Sequence, residues 1–339
     1  MNEAVQERRI RLTSGEMANL WTSYMNDSLS VCTLSYFLAH AQDPQIRSVL
    51  QYAYDLSAKH VRRVAHLLTE EECPVPQGFT DKDVDLNAPR LYSDTFFLLY
   101  IGNMGKFGLT AYSFALATSS RADIRAYYSE CMASATELFN RSLESLLEKG
   151  LHLRSPEIPK PRQVEFVHDQ NFLGNFLNIG RERPLLGQEI SNLTYNIERN
   201  LLGKPLIMGF SQTARDKEVR RYFERGRDMA QKHVEVFGSF LKREHLPVPA
   251  TWDTEVTDAT TPPFSDKLMT YHITVLIASA WGQYGSSTSV SPRADLATAY
   301  SRLSLEIANY ADDGANLMIK NGWLEKPPQA VDQVALAKA

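Results

Sequence analysis

The chain is written twice, and that duplication limits the folds open to it more than any other feature. Sliding the sequence by 173 residues places Leu12 on Leu185, Glu16 on Glu189, Asn19 on Asn192 and Leu20 on Leu193. The same shift carries Asp43 onto Asp216, Asp55 onto Asp228, Lys59-His60-Val61 onto Lys232-His233-Val234 and Pro74-Val75-Pro76 onto Pro247-Val248-Pro249. After a one-residue deletion the offset becomes 172, aligning Ser93-Asp94 with Ser265-Asp266, Tyr112 with Tyr284, Arg121-Ala122-Asp123 with Arg293-Ala294-Asp295 and Gly150 with Gly322. Solenoid repeats have periods of about 20–50 residues, so here each copy is a whole domain. The expected division is copy one at 12–155, a connector at 156–186 and copy two at 187–328. The connector holds Pro156, Pro159 and Pro161, then Phe166, Phe172, Leu173, Phe176 and Leu177. That much apolar surface predicts a segment packed into the groove between the copies, not a free linker.

Each copy reads as four long helices. In copy one they are expected over 14–42, 43–72, 90–118 and 121–149, and in copy two over 187–215, 216–245, 264–290 and 293–321. Asp43-Pro44 stops the first helix and starts the second, because proline suits a first helical turn where its missing N–H would be unsatisfied anyway. The second helix carries an apolar stripe at Ile46, Val49, Ala53, Leu56, His60, Val64 and Leu67, stepping by three and four residues. Gly150 and Gly322 close the fourth helices.

Connection lengths decide the topology. Short links between helices one and two, and three and four, force antiparallel neighbours. The link from helix two to helix three spans 17 residues, 73–89, and can reach about 56 Å when extended, against about 42 Å for a helix of about 28 residues. It can therefore run the length of the bundle and leave helices two and three parallel. The expected fold is all-α: two tandem ferritin-like four-helix bundles, each with one long crossover, packed as a pseudo-symmetric dimer.

Charge and composition remove several function classes. With 36 Lys+Arg against 40 Asp+Glu the net charge is −4, which leaves no electrostatic case for nucleic acid. Three cysteines, Cys32, Cys73 and Cys131, suit free thiols in a reducing cytoplasm. The polar N-terminal stretch reads as no signal peptide. The apolar run 96–118 carries Lys106 and Asn103 near its centre, which favours a bundle interior over a membrane span.

The chemistry a bundle of this kind could carry is a di-metal site, which needs Glu-x-x-His on two of its helices. Only Glu165-x-x-His168 fits that spacing, and it lies in the connector, so the helices hold no standard di-iron ligand set. The remaining weak metal candidates are His60 and His233, equivalent positions on the second-helix stripe, with Glu137 or Glu306 from helix four as partners. The plain alternative is a pair of core histidines satisfied by neighbouring Tyr, Asp or backbone groups. Glu137 faces Asn309 in the repeat and Glu306 faces Ser134, so the copies disagree where a duplicated catalytic site should agree. Thr13-x-x-Glu16 reads as a capping box, Ser93-Asp94 and Ser265-Asp266 as helix starts, and Cys32 and Cys131 as core residues.

The runs LTSGEMANLWTSYMNDS, KHV followed by CPVPQGFTDKDV, and NAPRLYSDTFF in copy one, with LPVPATWDTEV, PPFSDKLM and YADDGANLMIKNGWLEKPPQA in copy two, resemble a family from spore-forming bacteria. That family carries one or two ferritin-like units and is a spore-coat-F-like domain of unknown function. The resemblance extends over 12–332. It implies the tandem bundle and a cytoplasmic or spore-associated setting, and it brings no activity and no catalytic residues. The expectation is a non-enzymatic protein with a structural or stress- and sporulation-associated role, without membrane or nucleic-acid partners, free to self-associate further. The alternative is a metal- or small-ligand-binding, redox-capable protein with a non-standard site near the two histidines. A third, weaker reading is an apolar-ligand cavity marked by the third-helix glycines and Trp281-Gly282.

Overall fold

The computed structural model describes residues 10–173 and 183–333. Eight helices carry the fold: α1 (Ser14–His40), α2 (Pro44–Glu70), α3 (Asp94–Ala117), α4 (Ala122–Glu148), α5 (Gly187–Thr213), α6 (Lys217–Arg243), α7 (Asp266–Ser289) and α8 (Ala294–Lys320). Equivalent helices have equal lengths, 27, 27, 24 and 27 residues in each half, so the repeat in sequence is a repeat in backbone. Asp43 and Asp216 cap α2 and α6 by accepting from the backbone N–H groups of Gln45 and Ile46, and of Glu218 and Val219. Ser93 and Ser265 do the same for α3 and α7.

Side-chain ties at the helix ends fix the direction of each rod. Asp94 at the start of α3 accepts from the backbone of Gln42 and Asp43, just before α2 begins. Asp266 holds Arg215 and Asp216 in the same way. Helices two and three of each half therefore start together and run parallel, with the crossover climbing back along the bundle, as the link length predicts. At the opposite end Glu16 is fully buried and accepts from Thr13, Ser120 and Arg121 N–H groups, joining the start of α1 to the α3–α4 turn. Its equivalent Glu189 takes both guanidinium arms of Arg183 and the N–H of Leu186. The capping box at Thr13 is present, and Glu16 also ties two helix pairs together.

The two halves meet through their crossovers. Val84 bridges Phe264 and Tyr92 bridges Val256, both antiparallel, and the two bridges exchange under the repeat offset of 172. The N–H of Asp85 donates to Pro263 and that of Thr257 to Leu91, each at 2.8–2.9 Å. The N–H groups of Ser93 and Ser265 donate to Glu255 and Asp83 at 3.0 Å. The seam is thus self-complementary, as a two-fold interface between identical subunits would be. One buried apolar cluster runs through both halves, from Met25 and Phe37 to Phe237 and Leu317. A smaller cluster around Leu20, Val64, Ile124 and Tyr128 fills the far end of the first bundle.

The connector differs from its expectation. Just before it, Leu151, His152 and Leu153 line a cavity against the second bundle, whereas in the connector itself Val164 and Phe166 are 86% and 78% exposed. Phe172 lies under the guanidinium of Arg183 at 4.5 Å, and Phe176 and Leu177 lie outside the described residues. Among the described residues no helix is long and apolar enough to cross a membrane. Lys106 instead reaches across to Glu198 on α5 at 3.1 Å, linking the two bundles.

Candidate functional site

The middle of the first bundle gathers one polar side chain from each helix. His60 of α2 is 4% exposed. Its Nδ1 lies 3.4 Å from Asp27 Oδ1 of α1 and 3.2 Å from the Tyr112 hydroxyl of α3. Its Nε2 lies 3.5 Å from the Cys131 sulfur of α4. The Tyr127 ring stands edge-on to the imidazole at 5.9 Å. Burial works against the imidazolium, but the Asp27 carboxylate and its hydrogen bond outweigh burial and push the His60 pKa up to about 10. Burial likewise raises the Asp27 carboxyl, with His60 pulling it back. The pair therefore keeps a proton through the neutral range.

Asp27 Oδ2 and Ser57 Oγ are buried side by side, neither with a partner beyond the other. Both residues line a cavity of about 50 Å³ that also touches His60, Ser30 and Tyr112. That is room for a few water-sized molecules, since one needs about 10–15 Å³ on the same measure.

The second bundle keeps the histidine and changes its company. Asn200 stands where Asp27 does, Ala230 replaces Ser57, Leu303 replaces Cys131 and Ala299 replaces Tyr127. Asn200 donates to the Tyr284 hydroxyl at 2.9 Å, and Tyr284 donates on to His233 Nδ1 at 3.0 Å. His233 Nε2 faces Glu306 Oε2 at 3.5 Å without a hydrogen bond. Burial, only partly opposed by Glu306, drives the His233 pKa down to about 4. Burial would raise Glu306, but its 2.7 Å bond to Lys232 holds it low instead. Equivalent histidines thus shift in opposite directions, because His60 lies beside the buried Asp27 carboxylate whereas His233 faces only the partly exposed Glu306, which Lys232 already holds. The adjoining cavity of about 80 Å³ is lined by Ile273, Ile277 and Ile307 beside His233, Asn200 and Tyr284.

Of the four sequence candidates, the fold brings Glu306 to His233 but not Glu137 to His60. Glu137 is half exposed and bonds Arg141 at 2.7 Å on the outer face. Among the described residues no group of three or more His, Cys, Asp or Glu side chains is placed to hold a metal ion. The two nitrogens of His60 point at different partners, an arrangement suited to passing a proton between Asp27 and Cys131. Trp281 is 48% exposed and Gly282 borders open space, and neither lines the 80 Å³ cavity of the second bundle. The third-helix glycines seat α3 against α4: a Cβ at Gly105 would meet the Phe139 backbone at 3.0 Å.

Asp27 and Cys131 escaped sequence reasoning as partners of His60. A usable signal was present: Asp27 falls seven residues from both Leu20 and Leu34, on the buried face of α1, and is replaced by Asn200 in copy two. A third histidine lies at the pseudo-two-fold itself. Tyr100 and His272 are equivalent positions that meet each other, the hydroxyl donating to Nε2 at 3.0 Å. His272 Nδ1 has no hydrogen-bond partner, and burial pushes its pKa down to about 3.

No match was found among curated proteins. Among solved structures, a "putative spore coat protein" from Bacillus halodurans C-125 is 18% identical, over 44% of this chain and 98% of that one, with a TM-score of 0.41. The model of a family described as "Protein of unknown function (DUF3231)" matches residues 2–164 and again 175–336. The two matches begin 173 residues apart, the offset at which the chain aligns with itself. The chain belongs to this family, in two consecutive copies.

Proposed function

We propose that the protein is a non-enzymatic, preassembled pair of ferritin-like bundles with a structural role in stressed or sporulating cells. The self-complementary crossover seam carries this reading, because it welds the two copies into one body without a second chain. Supporting it are the duplicated end locks: Arg121 binds Glu71 and Asp123, and Arg293 binds Glu244 and Asp295, in matching geometry. The setting proposed is cytoplasmic, with spore association resting on the family resemblance alone. The near-neutral charge argues against nucleic acid as a partner, and further self-association is compatible with the role. Deleting the chain from its source cell and restoring variants tests the reading. His60→Gln with His233→Gln should restore the lost phenotype, and Asp85→Pro with Thr257→Pro should not; the reverse outcome would overturn it.

A second reading, small-ligand or metal binding at the mid-bundle histidines, is favoured by one observation: the buried Asp27, Ser57 and His60 side chains line one cavity. Element analysis of untagged protein tests it. Stoichiometric iron, manganese or zinc, lost on His60→Ala plus His233→Ala, would replace the structural reading.

A further inference from the structure

We propose that the cavity of the second bundle binds a short aliphatic carboxylate whose head pairs with Arg199 and whose tail lies among the core isoleucines. The proposal rests neither on the structural role nor on the histidine-centred reading above, because no histidine enters it. The cavity measures about 80 Å³, and buried Leu206, Ile273, Ile277 and Ile307 give it an aliphatic wall. An aliphatic cavity of about 150 Å³ stays dry and takes up benzene, so half that space suits an alkyl tail of about three or four carbons. Gly203 of α5 lines the same cavity, and a Cβ there would meet no atom within 4 Å.

Arg199 supplies the polar end. It is half-buried on α5, one turn before Gly203, and lines the cavity beside the aliphatic wall. Its guanidinium donates to Ser279 Oγ at 2.6 Å. Among the described residues no carboxylate pairs with it: Glu198, its neighbour in sequence, is held by Lys106 at 3.1 Å. A guanidinium carries five donors in a planar fork that matches a carboxylate through two parallel bonds, so Arg199 can keep Ser279 and still take an anion. The first bundle shows what the second has gained. Asn26 stands for Arg199, Ser30 for Gly203 and Phe107 for Ser279. Asn26, Ser30 and Phe107 line the smaller cavity of about 50 Å³ together with Asp27, so an anion entering there would meet no guanidinium and would face a carboxyl group.

Saturation-transfer NMR on the full-length chain at neutral pH tests the site with sodium valerate as the probe. Valerate should bind saturably with a Kd of about 1 mM or tighter. Acetate, which keeps the head and loses the tail, should bind at least about tenfold more weakly. Valeramide, which keeps the shape and loses the charge, should also bind at least about tenfold more weakly. Arg199→Asn, which installs the residue that the first bundle carries in this place, should abolish the preference for valerate over valeramide. Gly203→Leu should fill the space and weaken valerate at least about tenfold, without lowering the thermal midpoint, because leucine suits a helix better than glycine. No saturation by about 10 mM valerate, equal affinity for valerate and acetate, or unchanged binding in Gly203→Leu would overturn the proposal.

Discussion

The two bundles differ residue by residue while sharing a backbone, and the differences come as compensating sets. Tyr36 of α1 meets Phe264, ring centroids 5.2 Å apart, and its hydroxyl holds the first crossover through Pro89 and Leu91. At the matching place in the other half the hydroxyl has changed sides: Gly209 stands for Tyr36, and Tyr92 fills the gap and donates to the Leu206 carbonyl at 2.8 Å. A Cβ on Gly209 would collide with the buried Tyr92 ring. Gly209→Ala should therefore lose about 1–3 kcal/mol in urea unfolding, and an unchanged midpoint would show that this corner is loose. The histidines predict opposed pH slopes. His60 binds a proton more tightly folded than unfolded, so its contribution is complete below pH 6.5 and fades as pH rises toward about 10. His233 and His272 are held neutral, so they cost stability as pH falls from 6.5 toward about 4 for His233 and about 3 for His272. Each group sets a slope of at most about 1.4 kcal/mol per pH unit. Unfolding measured from pH 4 to 10 should give a dome whose acid limb flattens in His233→Gln and whose alkaline limb flattens in His60→Gln. These charges were illegible from spacing, because partners came from neighbouring helices: a stripe predicts that His60 is buried but not that Asp27 or Cys131 lies beside it.

At the scale of elements the sequence was far more readable. Caps, prolines and terminal glycines are local, so the starts at Thr13, Asp43 and Ser93 and the left-handed stops at Gly150 and Gly322 followed directly. The second helices end differently, with Glu72 and His245 at φ 55° and 57°, conformations that strain a residue with a Cβ. His245 is exposed, so His245→Gly should raise stability by about 0.5–1 kcal/mol, read as a higher urea midpoint; a loss would mean that its side chain is anchored. The crossover lengths foretold parallel middle helices, but not that the straps pair with each other, since that depends on two segments 172 residues apart. Groove packing fails in the connector at Val164 and Phe166, because apolar content alone cannot say whether a proline-rich segment reaches a groove. Phe166 remains in solvent.

For the whole molecule, the shared core and the seam predict one cooperative unit in place of two beads on a string. Calorimetry should show a single unfolding transition, with calorimetric and van't Hoff enthalpies equal. Lys106→Ala, which breaks the partly exposed ion pair with Glu198, should lower stability by no more than about 1 kcal/mol without splitting that transition. The duplicated architecture requires above all that the crossovers hold one another. Amide hydrogen exchange at Asp85, Ser93, Thr257 and Ser265 in the full chain tests this most directly. All four should exchange as slowly as the buried helix amides, in matched pairs; rates typical of open loops at these positions would contradict the paired, two-fold assembly.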